Sequence, residues 1–196
     1  KGFADVLDMQ KEMRYDIYDL HAKEVTHLVP KLLRYEIDER IDGDGNIIKH
    51  IDIKTLEKQL QLLKNNHELS SNHSVAICLL HSYINPTHEN IVRDIIKYYF
   101  PMVNISLSHE ISPLIREYER MSTTICNSYI QPLANEYINN IENHLKINKY
   151  KSPLRLMLSS GGITSTNIAK KYPVRLIESG PAAGTLAAAH LGSKSG

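Results

Sequence analysis

Glu178 is the carboxylate whose setting in the sequence most favours chemistry. It lies between a β-prone run at 174–177 and a small-residue turn, Ser179-Gly180, that leads into an Ala-rich stretch. Pro181 suits the first turn of a helix, and the free N–H groups of a helix N-terminus after a strand suit phosphate. We therefore predict a strand-to-helix junction with Glu178 facing a cleft. A ligand-free junction in an α/β domain explains the same residues, and the glycine spacing matches neither a Walker loop nor a dinucleotide fingerprint.

Two histidines and a carboxylate follow the ends of two predicted strands. His81 comes directly after the apolar run at 74–80, and His109-Glu110 follows the run at 103–108. Ligands of open α/β sheets collect at the carboxyl ends of strands, so these side chains could bind a divalent metal or move protons. Loop histidines that hydrogen-bond the backbone are the alternative. The absence of closely spaced ligand pairs and of a zincin motif favours that alternative.

A polar segment at 112–124 holds further candidates for anion binding. Arg116 and Arg120 could each bind a phosphate or carboxylate through two hydrogen bonds. The alternative is that they pair with neighbouring carboxylates on a solvated helical face. Thr123 and Thr124 end the segment in a Ser-Thr-Thr run. That run favours helix capping, with contact to a cleft as the alternative.

Residues 42–46, Asp-Gly-Asp-Gly-Asn, have the composition of a calcium-binding loop. The spacing is wrong, because Ile47 stands where that loop needs glycine and Ile53 stands where it needs the bidentate Glu. The stretch is instead typical of a β-hairpin turn.

A strand–helix–strand unit is predicted to position the histidines. The uninterrupted apolar run at 74–80 is typical of a strand buried on both faces of a parallel sheet. Asn85-Pro86 ends that strand, Thr87 is expected to cap the next helix, and a second strand follows at 103–108, which makes a right-handed βαβ unit. Three residues at helical spacing are predicted to face inward: Ile91, Ile95 and Tyr98.

The remaining elements are predicted from apolar spacing and helix breakers. A long helix is expected to begin at 122–124 and to be kinked or divided at Pro132. Its predicted inward residues are Ile125, Tyr129, Leu133, Tyr137, Ile141 and Leu145. The other elements are a strand at 32–41, a helix from Asp52 or Lys54, a strand at 154–158 and a helix at 164–171.

Composition excludes several classes of protein. The net charge of +1 over 196 residues does not indicate binding to nucleic acid or to a membrane surface. No apolar run approaches the roughly 18 residues of a spanning helix. Cys78 and Cys126 lie far apart in apolar surroundings, which predicts reduced cysteines in a cytosolic protein. Without an initial Met or a secretory leader, and with a polar tail, the chain is expected to be a piece of a longer protein.

Several long runs are similar to one family. Residues 76–89 read Ala-Ile-Cys-Leu-Leu-His-Ser-Tyr-Ile-Asn-Pro-Thr-His-Glu, and residues 107–124 read Leu-Ser-His-Glu-Ile-Ser-Pro-Leu-Ile-Arg-Glu-Tyr-Glu-Arg-Met-Ser-Thr-Thr. Residues 178–184 read Glu-Ser-Gly-Pro-Ala-Ala-Gly, and shorter runs at 1–7, 28–30 and 36–41 also fit. On these motifs the chain is identified as a member of the hydantoinase A/oxoprolinase family, and the resemblance extends over nearly the whole chain.

The resemblance implies a fold and a domain organisation. The fold would be α/β, like that of actin, the sugar kinases and the heat-shock chaperone ATPases (ribonuclease H-like), with βαβ units, a long helix and a nucleotide cleft between two domains. Residues 1–148 would be the C-terminal part of the hydantoinase/oxoprolinase N-terminal domain, and residues 149–196 the start of the hydantoinase A catalytic domain. A composition shift at 146–153 agrees with that boundary.

The resemblance also implies an activity. ATP, with Mg²⁺, would activate the carbonyl of a cyclic amide or imide, and a hydantoinase B-like partner subunit or fused domain would help to open the ring of an oligomeric cytoplasmic enzyme. Glu178 would be catalytic, positioning water or magnesium near the γ-phosphate, with the helix after it acting as a hinge. From their place after two strand ends, and not from the resemblance, His81, His109 and Glu110 are the candidates for an additional divalent metal. The implied nucleotide- or substrate-cleft residues are Ser160, Gly161, Gly162, Ser179, Gly180, Gly184, Arg116, Arg120, Thr123 and Thr124.

One hallmark of the family is missing from these residues. Both Asp-Gly-Gly-Thr phosphate hairpins are absent, and Gly161-Gly162 is no substitute because no Asp precedes it. One hairpin is expected before Lys1 and the other after Gly196, so these 196 residues alone are expected to fold without hydrolysing ATP. Three hypotheses stay open: a cyclic-amide hydrolase for hydantoin or oxoproline, an ATP-driven carboxylase of the acetone type, and an actin-like binding or regulatory module without turnover.

Overall fold

The computed structural model describes residues 1–11, 18, 21, 26–66 and 72–195. Spatial contacts divide the chain into two compact units, Lys1–Tyr129 and Ile130–Gly196. Within the described ranges, no helix combines the length and the apolar character needed to cross a membrane. The domain boundary predicted after residue 148 concerns family domains rather than these contact units, so it stays a prediction.

Short strands and longer helices alternate along the described part of the chain. The first unit contains α1 (Val6–Met9), a 3-10 helix (Lys31–Leu33), β1 (Arg40–Ile41), β2 (Ile47–Lys49), α2 (Ile53–Asn66), β3 (Ser74–Ile77), α3 (Thr87–Tyr99), β4 (Asn104–Leu107), α4 (Ser108–Ile111) and the first part of α5 (Glu117–Ile147). The second unit contains the rest of α5, β5 (Arg155–Met157), β6 (Ile163–Ser165), α6 (Thr166–Lys171), a second 3-10 helix (Pro173–Leu176) and α7 (Ser179–Ser195).

The predicted strand–helix–strand unit is confirmed. β3 and β4 pair in parallel, with Ser74 opposite Asn104 and Ile77 opposite Leu107, and α3 connects them. Burying each large apolar side chain contributes about 1.5–3 kcal/mol, so the cluster beneath this strand pair holds both strand ends in place. The buried members of that cluster are Leu56, Leu60, Ile77, Val92, Ile96, Phe100, Val103 and Leu107.

The inward face of α3 agrees with the predicted one in part: Ile95 packs against the apolar cluster, as predicted, and Ile91 is half-buried. Tyr98 is 81% exposed, whereas Val92 and Ile96 are buried together with two polar residues, His88 and Glu89. Apolar spacing missed the most buried part of this face because two of its side chains are polar. The predicted cap is also wrong: the N-cap position belongs to Pro86.

The long helix α5 begins at Glu117, ahead of the predicted start, and runs through Pro132 without interruption. Ile125 is buried as predicted, but three of the predicted inward residues are exposed: Tyr129 at 64%, Leu133 at 71% and Tyr137 at 64%. The buried face is largely polar: Arg120, Thr124, Asn127, Ser128 and Gln131. Apolar spacing could not find this face, because its side chains are stabilised by hydrogen bonds, as when Asn127 donates to the Ser106 hydroxyl over 2.9 Å.

The predicted hairpin at 42–46 is confirmed, since β1 and β2 pair in antiparallel orientation around it. Asp42 Oδ1 accepts the N–H groups of Asp44 and Asn46 at 3.0 and 2.7 Å, which closes the turn. Most of the strand predicted at 32–41 is wrong, because only Arg40–Ile41 pairs with a neighbour and Lys31–Leu33 forms a 3-10 helix. Alternation along one segment does not tell whether a partner backbone is available.

The second unit contains a hairpin that the sequence did not predict. β5 confirms the expected strand, and β6 pairs with it in antiparallel orientation where the start of a helix was expected. The strand predicted at 174–177 is wrong, because this stretch belongs to the 3-10 helix Pro173–Leu176. Pro173 explains the difference, since its fixed φ suits a helical turn and it has no N–H for a ladder. The helix predicted after Glu178 is confirmed as α7.

Candidate functional site

Two small-residue turns lie side by side in the second unit. Ser159, in the turn after β5, donates to the Arg175 carbonyl through its N–H at 2.7 Å and through its hydroxyl at 2.8 Å. The Glu178 N–H donates in turn to the Ser159 hydroxyl at 3.2 Å. One serine therefore brings two groups of predicted cleft residues together: Ser160, Gly161 and Gly162 with Glu178, Ser179 and Gly180.

Gly161 is the residue of this site for which glycine is required. Its φ of +83° is one that side-chain-bearing residues rarely adopt, and a Cβ there would lie 3.1 Å from Leu186 Cδ1 of α7. Its N–H donates to the Leu158 carbonyl at 2.9 Å. The turn after β5 therefore packs closely against α7 because residue 161 has no side chain.

Replacing Gly161 with alanine is expected to destabilise the second unit by about 1–2 kcal/mol, the usual cost of a left-handed conformation for a residue with a Cβ. Gly162→Ala is the matched control, because φ at this neighbouring glycine lies outside the left-handed range and a Cβ would make only ordinary contacts, 3.8 Å from the Ser160 hydroxyl oxygen. Urea unfolding of both variants measures the difference. Equal stabilities would contradict the close packing of this turn on α7.

The Glu178 carboxylate is exposed at the start of α7. The structure describes no hydrogen bond or ion pair of its two oxygens with the rest of the chain, whereas its backbone N–H is bonded to Ser159. Gly180 and Gly184, further along, have open space where a Cβ would lie. A carboxylate in this setting can accept hydrogen bonds from water or join a hydrated cation, and the small side chains leave room for a ligand.

Arg120 is a structural residue in this fold. It is 2% exposed and donates to the carbonyls of Leu114 and Leu79 at 2.7 and 3.0 Å, and its guanidinium carbon lies 5.3 Å from the centre of the Tyr83 ring. Arg116 has a side chain 78% exposed and lies 3.9 Å from Glu119, which matches the predicted alternative of a surface ion pair.

The two threonines do not cap a helix. Thr123 and Thr124 donate from their hydroxyls to the Glu119 and Arg120 carbonyls at 2.7 and 2.6 Å, well inside α5. The capping prediction is wrong because the helix begins at Glu117. Cleft contacts for Arg116, Thr123 and Thr124 stay predictions.

The histidines after the strands have partners within the protein. His81 Nδ1 lies 2.8 Å from the Ile41 carbonyl oxygen, and His109 Nδ1 lies 2.6 Å from Glu89 Oε2. Over the ranges that the structure describes, no three His, Cys, Asp or Glu side chains gather where they could hold a metal ion. The geometry therefore does not assemble His81, His109 and Glu110 into a metal site.

Glu89 is the residue that sequence reasoning missed. Its side chain is fully buried, and Oε1 accepts the Leu79 N–H at 2.9 Å and the Ser108 hydroxyl at 2.6 Å. Oε2 accepts from His109 at both the backbone N–H, 3.2 Å away, and Nδ1. A glutamate on a helix is normally a surface residue, so only its spacing from Val92 and Ile96 could have marked it as inward.

The charge of Glu89 affects a neighbouring thiol. Burial, and secondarily the negative charge of Glu89, raises the pKa of Cys78 to about 12. Cys78 therefore stays a neutral thiol at physiological pH, which excludes it as a thiolate nucleophile.

A second buried carboxylate–histidine pair lies nearby in the same unit. His88 Nδ1 is 2.6 Å from Glu39 Oε2, and the two side chains are 2% and 3% exposed. His88 Nε2 is buried without a hydrogen-bond partner. This pair is closed to any ligand, so its geometry supports a structural role only.

Two family models match the chain. The model described as hydantoinase/oxoprolinase N-terminal region matches residues 1–100, and the model described as hydantoinase/oxoprolinase matches residues 120–196. The matched ranges include β3, β4, both small-residue turns and α7.

Relatives and solved structures agree with these matches. An uncharacterized protein of Methanocaldococcus jannaschii is 40% identical over 97% of this chain and 27% of its own length. The crystal structure of ATP-dependent caprolactamase from Pseudomonas jessenii has a TM-score of 0.81 at 30% identity, covering 93% of this chain and 26% of that one. The nucleotide-free structure of acetone carboxylase has a TM-score of 0.81 at 28% identity, covering 98% and 28%.

These similarities confirm the predicted actin-like α/β fold class. The chain spans roughly a quarter of the length of these three proteins, from 26% to 28%.

Proposed function

Because the chain belongs to the hydantoinase/oxoprolinase family, we propose that it is part of an ATP-dependent enzyme that opens a cyclic amide. The observation that carries the proposal is the similarity over 93% of this chain to a solved structure described as ATP-dependent caprolactamase. A lactam has an amide bond within its ring, and so do hydantoin and oxoproline. Substrates of this class therefore share one reacting group.

The chemistry explains the need for ATP. An amide carbonyl is a poor electrophile, and transfer of the γ-phosphoryl group to its oxygen would make its carbon reactive towards water. Magnesium, where it binds with the nucleotide, neutralises the charge that develops on the phosphoryl oxygens. Catalysis of such a transfer consists mainly of positioning and electrostatic stabilisation.

The turns of the second unit fit this task. The exposed Glu178 carboxylate suits magnesium, which proteins commonly hold through one or two carboxylates, water and substrate phosphates. The N–H groups of Ser179 and Gly180, at the start of α7, provide donors and a partial positive charge for phosphate. Ser159 ties this helix start to the Ser160–Gly162 turn, so both turns would line the same side of the nucleotide cleft.

Carboxylation of a small ketone is the second candidate function, favoured by the equal TM-score of 0.81 with acetone carboxylase. A non-catalytic actin-like module is the third hypothesis. In either enzyme we infer a hydantoinase B-like partner subunit or fused domain, because the relative from Pseudomonas jessenii is named caprolactamase subunit alpha. The free cysteines Cys78 and Cys126 support a cytoplasmic location.

The test is ADP release by the full-length protein with its partner subunit, offered oxoproline, hydantoin, caprolactam, or acetone with bicarbonate. We expect release that depends on one cyclic amide. In Glu178→Gln, turnover is expected to fall about 10²–10³-fold while ATP binding persists, as for the loss of one electrostatic group in an active site. Glu136→Gln, which changes an exposed carboxylate of α5, is the matched control and should keep full turnover.

Two results would contradict the proposal. A response to acetone with bicarbonate alone would establish the carboxylase. If a protein shown to bind ATP released no ADP with any of these compounds, the regulatory module would be favoured.

A further inference from the structure

We propose that His109 is a catalytic residue that carries the proton in cyclic-amide opening, and that Glu89 is its positioning residue. The inference rests on the proposed function and adds the group that acts on the substrate rather than on the nucleotide. Four features of the first unit support it: the fixed orientation of the ring, the state of its two nitrogens, its accessibility and its place in the fold.

Glu89 fixes the orientation of the His109 ring. Its fully buried carboxylate accepts from the Leu79 N–H at the end of β3 and from the Ser108 hydroxyl and His109 N–H just after β4. The Ser108 hydroxyl is also hydrogen-bonded to the Ser82 hydroxyl, 3.0 Å away. The carboxylate therefore joins both strand ends and holds the His109 ring through Nδ1 at 2.6 Å. A side chain locked in this way loses little entropy when it meets a substrate.

The same contacts settle which ring nitrogen is the acceptor. Three donors other than the ring, two N–H groups and one hydroxyl, converge on Glu89, which is the environment of an ionised carboxylate. An ionised carboxylate can only accept, so Nδ1 of His109 carries a hydrogen, and in the neutral ring Nε2 carries the lone pair. This carboxylate–histidine arrangement is the one in which imidazole serves as a general base and then as a general acid.

Nε2 of His109 is open to a ligand. The His109 side chain is 16% exposed, and the described part of the chain offers Nε2 no hydrogen-bond partner. The other pair, Glu39 and His88, has the same 2.6 Å contact but is closed on all sides. His109 also follows β4 directly, at the carboxyl edge of the parallel pair, where α/β folds bind their ligands.

His109 would take up one proton and release it again within a single hydrolysis. As the oxygen of a water molecule bonds to the amide carbon, Nε2 takes one of its protons. The C–N bond then breaks, its electron pair leaves with the ring nitrogen, and Nε2 delivers the same proton to that nitrogen. His109 ends neutral. The oxygen left on the carbon loses its remaining proton to solvent as an acyl phosphate forms, and a second water then releases the phosphoryl group as inorganic phosphate. Over the whole reaction the opened amide gains one hydroxyl on carbon and one hydrogen on nitrogen.

The test separates the base from the structural contact by replacing His109 with asparagine in the full-length protein. The asparagine N–H occupies the place of Nδ1–H and keeps the bond to Glu89, but it puts no proton acceptor where Nε2 was. We expect kcat for ring opening to fall about 10²–10⁴-fold, with the Kd for ATP changed by less than about twofold. A structural residue would tolerate this change, because the bond to Glu89 remains.

Rescue provides the second measurement. In His109→Ala, added imidazole is expected to restore part of the ring-opening rate, because the lost group is a reachable base. His88→Asn is the matched control: it removes the same atoms from the other buried pair, and its turnover for each folded molecule should stay near that of the wild type. Glu89→Gln is expected to lower kcat without raising KM, because an amide can hold the ring in the wrong tautomer.

Each outcome decides the matter. Loss of turnover in His109→Asn together with rescue of His109→Ala supports the proposal. Full turnover in His109→Asn, or a deficit in His109→Ala that imidazole leaves unchanged, overturns this inference and leaves the proposed function standing. A wild-type protein that binds ATP but opens no cyclic amide overturns the proposed function and, with it, this inference.

Discussion

Replacing Arg120 with leucine is expected to lower the free energy of unfolding of the first unit by about 3–6 kcal/mol, because two hydrogen bonds from a charged donor are lost at about 1.5–3 kcal/mol each. The guanidinium is 2% exposed and holds the Leu79 carbonyl at the end of β3 and the Leu114 carbonyl ahead of α5. Leucine fills part of the space but leaves both acceptors without their donor.

Urea unfolding of the chain, followed by far-ultraviolet circular dichroism, measures this change, since the sequence has no tryptophan. Arg116→Leu is the matched control, because the Arg116 side chain is 78% exposed and its contact with Glu119 is 3.9 Å. We expect little change there. Similar stabilities for the two variants would contradict the structural role of Arg120.

Replacing Glu39 with methionine is the second large effect, and we expect a loss of about 3–5 kcal/mol. Glu39 and His88 are 3% and 2% exposed in side chain, so removal of the carboxylate leaves a buried imidazole without the one hydrogen-bond partner that the described residues give it. The double variant Glu39→Met with His88→Leu is expected to regain much of the loss, because apolar side chains can replace a buried pair at little cost.

The control for this prediction has the same geometry but not the same burial. Lys49 and Asp38 lie 2.6 Å apart, with side chains 55% and 44% exposed. Asp38→Asn should leave the unfolding curve nearly unchanged, since water and salt screen exposed pairs. If the exposed and buried pairs gave equal losses, burial would not be the cause.

Local patterns predicted the elements that depend on neighbouring residues. The apolar run at 74–80 was enough for β3, because a strand buried on both faces must be continuously apolar. The composition of residues 42–46 was enough for the hairpin, because Asp42 closes the turn with its own side chain. Pro181 and the alanines after it were enough for α7.

Local sequence patterns gave wrong predictions where a residue's burial or pairing depends on a partner far away in the chain. α5 buries arginine, threonine, asparagine and glutamine, and apolar spacing selected Tyr129, Leu133 and Tyr137, which are exposed. The strand predicted at 174–177 also failed, because a β-prone segment becomes a strand only when another backbone pairs with it.

Some residues of the candidate site could likewise be predicted from the sequence and others could not. Glu178 and the Gly161-Gly162 turn could be chosen from residue type alone, and Gly161 does have the positive φ that the sequence allowed for. That Ser159 joins these turns could not be chosen, because 19 residues separate it from Glu178. Glu89 was invisible for the same reason, since its four donors come from two strand ends and the nearest of them lies 10 residues away.

The sequence by itself determined the family, the βαβ unit, the first hairpin and the helix after Glu178, since each is written in contiguous residues. Only the tertiary structure decided which polar side chains are buried and which histidines are held by carboxylates. The physical reason is that burying a charge is unfavourable unless partners surround it, and those partners are supplied by segments far apart in the chain. Glu39 and His88, 49 residues apart, meet only after folding.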